Sequence, residues 1–189
     1  TASVVFNTPI EEVTKEQRQQ GKTLNFSLGY GMGFRKYKTV CANSGKMIPL
    51  GQAKIEHMGF HRTYPRLREW HKERQAMVAD GWCYVRTAFG RRRLLAYNDS
   101  SMMAAANTPI QGTGADILKL AIGNLSEHLN EHAFLVACVH DEIVLEVRED
   151  KAEEYRNILQ TIMEDAAAKV LTSIPSVAEA NIGSTWAEK

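Results

Sequence analysis

The stretch that decides the fold is FLVACVHDEIVLEV, residues 134–147. Two short apolar runs, 134–139 and 143–147, flank His140, Asp141 and Glu142, and the pattern reads as two strands joined by a tight acidic connection. Such a hairpin holds a carboxylate rigidly at the edge of a sheet, where a hard Mg²⁺ ion takes oxygen ligands and keeps water. Asp141 is the candidate metal ligand. Taken in isolation, His-Asp-Glu also suits an ordinary polar hairpin turn.

Working outward, residues 100–130 are rich in Ala and Leu with apolar spacings of three and four, which predicts a long helix, bent at Pro109. Residues 150–171 predict an amphipathic helix whose Ile158, Ile162 and Ala166 pack on the sheet, and residues 175–189 a tail that can hold a strand. Upstream, the aromatic and β-branched run 82–87, the turn at Phe89-Gly90 and the return at 91–95 predict a second hairpin. Ahead of it lie three helices. Thr14 and Gln17 have the form of a capping box, opening a helix that runs to about Tyr30 and stops at Gly29, Gly31 and Gly33. Residues 40–50 read as a loop, 51–60 as a second helix, and 65–80 as a third, ended by Gly81.

With 189 residues, 44% of them apolar and 24% charged, the chain has the composition of an ordinary globular protein of one domain or two small ones, not that of a disordered segment. No apolar run approaches the roughly 20 residues of a membrane span. The N-terminal TASVVF has no basic leader and reads like the middle of a longer protein. Three widely spaced cysteines give no disulfide framework and no metal knuckle, so reduced thiols in the cytoplasm are expected. His57 and His61 have the spacing of helix-borne ligands but lack a third partner; they read as surface histidines, and no zinc is expected. Charge divides the chain near residue 97: residues 1–97 carry 17 Lys and Arg against 7 Asp and Glu, and residues 98–189 carry 6 against 15. A basic half suits polyanions, and an acidic half suits metal ions or simple solvation.

In the helix from residue 15, Arg18, Lys22, Phe26 and Tyr30 recur every fourth position. Each step drifts by only about 40°, so the four share one side. Cationic donors followed by flat rings suit a nucleoside triphosphate, which presents phosphates at one end and a sugar and base at the other. The same stripe also suits two core aromatics beside a solvated cationic edge.

RQQGKTLNFSLGYG at 18–31 resembles the nucleotide-binding fingers helix of family A DNA polymerases, the bacterial polymerase I and bacteriophage type. Three more blocks resemble that family in the same order: TAFGRRRLL at 87–95, NTPIQGTGADILK at 107–119 and VHDEIVLEV at 139–147. The resemblance spans most of the chain. It implies an α+β fold: a mostly helical fingers subdomain, residues 1–97, then the C-terminal part of an antiparallel-sheet palm, residues 98–189, together an incomplete right hand. The implied reaction is template-directed attack of a primer 3′-hydroxyl on a deoxynucleoside triphosphate, with two Mg²⁺ ions in the complete site.

By resemblance, Arg18 and Lys22 bind the triphosphate, Lys22 also protonating the leaving pyrophosphate; Phe26 packs near the sugar and Tyr30 stacks near a base. Asp141 binds Mg²⁺ and Glu142 lies beside it, while His140 contacts the primer strand. Asn107 and Gln111, one turn apart, probe the minor groove of the primer-template, where acceptors occur at every base pair. Arg91 and Arg92, with Arg93 beside them, suit backbone phosphates.

The chain departs from the family at Met103 and Cys138, where relatives often place Arg and Gln. It also has no Asp-x-Ser-x-x-Glu-like motif, the family's other aspartate site. One carboxylate cannot position two ions, so the isolated chain is expected to be inactive. The second aspartate is then expected from an upstream segment of the same product or from a separate subunit. The alternative reading is a non-catalytic nucleic-acid or nucleotide-binding module derived from a polymerase; an unrelated helical interaction protein would bind no nucleotide at all.

Overall fold

The computed structural model describes residues 1–79, 83–95 and 99–188. The expected helix stop at Asp80 and Gly81, the Trp82 end of the first hairpin and the boundary near residue 97 lie outside these residues. The architecture is α+β, helices with two small antiparallel sheets, as the residues imply. Two compact units form: Thr1–Val85 with Arg92–Thr108, and Arg86–Arg91 with Pro109–Lys189.

In the first unit, α1 (Ala2–Phe6) leads through a short 3-10 turn into α2 (Lys15–Leu28). The capping box opens α2 as expected. The Gln17 backbone N–H donates to Thr14 Oγ1 at 3.2 Å and the Thr14 backbone N–H to Gln17 Oε1 at 3.0 Å, so two otherwise orphaned donors are satisfied reciprocally. The helix ends at Leu28 rather than Tyr30, because the chain turns at Gly31, whose φ of 82° is readily adopted only by glycine. The loop expected at 40–50 is half helix. Helix α3 (Phe34–Asn43) extends into it because Tyr37 and Cys41, four apart, reach the same core as Leu24 and Leu28. Helices α4 (Leu50–Thr63) and α5 (Pro65–Ala79) follow, with Ala53 and Phe60 of α4 completing that core. Strands β1 (Cys83–Arg86) and β2 (Arg92–Leu95) form the first hairpin. A smaller core joins Val78, Val85, Leu95 and Ala105.

Helix α6 (Asp99–Ser126) runs through Pro109. In the second unit its Ala121 and Leu125 pack with Ile143 of β4 (Glu142–Val147) and with Ile162 and Ala166 of α7 (Ala152–Ala168). The expected helix over 150–171 is therefore present, but it starts from a 3-10 turn and stops at Ala168. Strand β3 (Ala133–Val139) pairs antiparallel with β4, Val139 opposite Glu142 and Ala133 opposite Val147, and the register shifts by one residue between Leu135 and Ala137. The strand expected in the tail does not form among the described residues.

Candidate active site

Helix α2 has two opposed sides. Gln20, Leu24, Ser27 and Leu28 are buried, whereas Arg18, Lys22 and Phe26 are exposed, Phe26 at 70%. The ring of Phe26 is thus no core residue. Burying it would remove apolar area worth roughly 2 kcal/mol, and the fold leaves that gain unused. Half-buried Tyr30 follows the helix. Phe26, Ser27, Tyr30, Met32, Met103, Ala104 and Asn107 line one cavity of 270 Å³. The structure therefore gathers Phe26, Tyr30 and Asn107 around a single space, with Arg18 and Lys22 along the exposed side of the same helix. Met103 supplies an apolar wall to that space.

Histidines hold the far end of α2. The His71 ring lies 2.8 Å, Nε2 to O, from the Gly29 carbonyl. His57, His61 and His71 stack edge to face, with centroids 4.6 Å and 5.8 Å apart along the series. The expectation that His57 and His61 lie on the surface is corrected: both are half-buried. Burial first, then the neighbouring rings and Arg68, push the His61 pKa down to about 4, and burial lowers His57 as well. The spacing that suggested helix-borne ligands serves packing between α4 and α5.

The β1–β2 hairpin carries the three arginines. Arg92 lies over the Tyr84 ring at 5.4 Å, and Arg93 donates to Thr108 Oγ1 at 3.1 Å. Arg91 is held within the second unit, its Nε donating to Asp116 Oδ1 at 2.8 Å and its Nη2 to the Gly112 carbonyl at 3.1 Å. Half of its side chain is still exposed, so it can offer a donor outward while anchored. Gln111 is exposed on α6, and Asn107 half-buried.

At the tip of β3–β4, His140 and Asp141 are exposed and Glu142 opens β4. His140 has φ of 57°, a left-handed conformation that non-glycine residues adopt at a cost of about 1 kcal/mol or more and that clusters at functional sites. The strained residue lets a two-residue turn connect Val139 to Glu142 and leaves Asp141 at its apex. Trp186 Nε1 donates to Glu142 Oε1 at 2.7 Å, so Glu142 is braced while Asp141 projects. An exposed carboxylate on a rigid turn is a hard oxygen donor of the type Mg²⁺ takes, and in that respect the residues fit the ion. Among the described residues, no cluster of three or more His, Cys, Asp or Glu is arranged to hold a metal, so Asp141 would contribute to a site completed by further ligands. No helix of the described residues is long and apolar enough to cross a membrane.

Sequence reasoning did not find Glu56, Tyr37 and Gln20, a buried polar group behind α2, nor the partners Asp116 and Trp186. Glu56 was discoverable: it falls between Ala53 and Phe60 at core spacing, where a charge calls for a partner.

A family profile described as DNA polymerase family A matches residues 1–188. DNA polymerase I of Aquifex aeolicus is 37% identical over 98% of this chain and 33% of its own length. That of Pseudomonas aeruginosa is 36% identical over 100% of this chain and 21% of its own. The chain thus spans a third or less of these relatives. Among solved structures, the POL domain of Pol1 from M. smegmatis, in complex with DNA primer-template and dNTP, superposes with a TM-score of 0.76 at 29% identity, covering 87% of this chain and 30% of that one.

Proposed function

The chain belongs to DNA polymerase family A, and from that premise we propose that it is the fingers and C-terminal palm portion of a template-directed DNA polymerase, completed by an upstream palm segment. The observation that carries the reading is the two-sided α2: Arg18, Lys22 and Phe26 face outward from a buried back, and Phe26 shares a cavity with Tyr30 and Asn107. A hydrophobic core alone gives no reason to expose Phe26; a sugar and base docking there do.

In this reading Arg18 and Lys22 bind and neutralise the triphosphate of an incoming dNTP, with Lys22 placed to give a proton to the departing pyrophosphate. Phe26 packs on the sugar and Tyr30 stacks on a base. Asn107 and Gln111 bond minor-groove acceptors of the primer-template, Arg91 and Arg92 hold its phosphates, and His140 contacts the primer strand. Asp141, with Glu142 beside it, would hold Mg²⁺, and two such ions in the complete site would supply charge neutralisation and an activated primer hydroxyl. The upstream segment supplies the other aspartate, from the same product or a separate subunit. Strand β3 supports that partnership: paired only with β4 among the described residues, it leaves Phe134 and Val136 each 58% exposed and Leu135 38%, an apolar edge strand suited to a further palm strand. A soluble cytoplasmic setting follows from substrate and DNA access.

The test is steady-state primer extension by this chain joined to the upstream palm segment, with Arg18→Ala and Lys22→Ala compared with wild type. The expected result is a raised KM for dNTP in both and a lowered kcat in Lys22→Ala. Unchanged kinetics in both would overturn the assignment of the triphosphate site.

A further inference from the structure

What faces outward on α2 depends on what locks its back. Gln20 lies about 200° around the helix from Arg18 and from Lys22, so the buried amide and the two exposed cations sit on opposite sides. Leu24 and Leu28 also anchor the back, but apolar packing is non-directional and tolerates small rotations. Hydrogen bonds to a buried charge do not.

Such a charge is present. Glu56 on α4 is 3% exposed and Gln20 5%. Glu56 Oε2 accepts from the Tyr37 hydroxyl of α3 at 2.6 Å and from Gln20 Nε2 of α2 at 2.9 Å; Oε1 accepts from Gln52 Nε2 at 2.9 Å. Lys46 Nζ donates to Gln20 Oε1. That bond and the carboxylate together fix which way the Gln20 amide points, since its oxygen must face the ammonium and its nitrogen the carboxylate. Burial, and next the bond to Glu56, push the Tyr37 hydroxyl far above its ordinary range, so it stays a donor. One carboxylate thereby ties three helices.

We propose that Glu56 is a positioning residue for nucleotide binding: acting through Gln20, it fixes the rotation of α2 about its own axis and binds α2, α3 and α4 into one body, so that Arg18, Lys22 and Phe26 are presented as a set. This rests on the polymerase reading of α2. With side chains reaching about 6 Å from the helix axis, a rotation of about 10° moves their ends by about 1 Å. A misplacement of that size is worth about 100-fold in rate where it affects a reacting geometry.

The experiment measures KM and kcat for dNTP in the polymerase formed with the upstream palm segment, alongside circular dichroism and thermal unfolding. Glu56→Leu strands the Tyr37 and Gln20 donors and can unfold the unit. The deciding variant is therefore Gln20→Leu/Tyr37→Phe/Glu56→Leu, which replaces the group by apolar side chains and leaves no buried donor unpaired. We expect it to fold with unreduced stability, yet to show a KM for dNTP raised about tenfold and a lowered kcat, while Glu56→Gln, which can keep the Tyr37 and Gln20 bonds, stays within about twofold of wild type. If the triple variant is unfolded, Gln20→Met cuts only the α2 arm and is judged on the same readout. A folded variant with wild-type KM and kcat overturns the positioning role and leaves the polymerase reading intact. Absence of extension by the wild-type assembly overturns both.

Discussion

Replacing Gly31 by alanine tests whether the backbone that follows Tyr30 is held in the left-handed region. Gly31 has φ of 82°, and a Cβ built there would meet Met102 Cε and Sδ at 3.3 Å. The steric part is small, because the thioether is the end of a flexible side chain that can shift by a few tenths of an ångström. The backbone part is not: an L-residue in the left-handed region loses roughly 1–2 kcal/mol relative to glycine. Gly59, inside α4 of the same unit, provides a control of opposite sign. Among the described residues, nothing beyond its chain neighbours and its own helix backbone lies within 4 Å of its virtual Cβ, so alanine there reduces the freedom of the unfolded chain and gains roughly 0.5–1 kcal/mol. Urea unfolding followed by far-UV circular dichroism should show Gly31→Ala destabilised and Gly59→Ala stabilised. Primer extension should fall in Gly31→Ala, which disturbs the turn carrying Tyr30, and hold in Gly59→Ala. Equal stability of Gly31→Ala and wild type would refute the claim that this turn fixes the residue at positive φ.

The His61 pKa is about 4 in the fold against 6.5 as the ordinary value, so the unfolded chain takes up the proton first. Stability should rise with pH between about 4 and 6.5 and decline as pH falls through that window; His61→Phe should flatten this slope in thermal melts at pH 4.5 and 7, and an unchanged slope would contradict the buried, neutral imidazole. Arg92→Ala should weaken primer-template binding and reduce the salt slope by about 1 without loss of stability. Arg91→Ala should also lower stability, because it strands Asp116, whose Oδ2 is already buried without a hydrogen-bond partner among the described residues. His140→Gly relieves the positive φ at the hairpin tip and should hold or raise stability by up to about 1 kcal/mol while lowering primer extension; loss of stability would show that the ring, not the backbone, secures the turn.

The hairpin read at 134–147 and the start of α2 were legible because their signals are local: two short apolar runs around a polar turn for one, a reciprocal cap for the other. Helix α3 was not, because Val40–Asn43 adjoins Ser44-Gly45 and only the tertiary core reached by Tyr37 and Cys41 extends the helix into that segment. The α2 stripe was readable as a face, but its exposure was not; burial of Leu24 and Leu28 behind it decides that. The buried Glu56 group joins residues 17, 19 and 36 positions apart, and the Trp186–Glu142 bond spans 44. Pairings at such separations leave no periodic trace in a sequence. His57 and His61 misled for the same reason: four-residue spacing gives a shared face, and only the packing of α4 on α5 shows which face it is.

The most direct test of the account is Mg²⁺-dependent primer extension by the chain alone and by the chain mixed with a separately expressed upstream palm segment, each with and without Asp141→Ala. The account predicts extension by the mixture only, abolished by Asp141→Ala with folding intact, since Asp141 is exposed at the hairpin tip. Extension by the chain alone, or by the Asp141→Ala mixture at the wild-type rate, would contradict it.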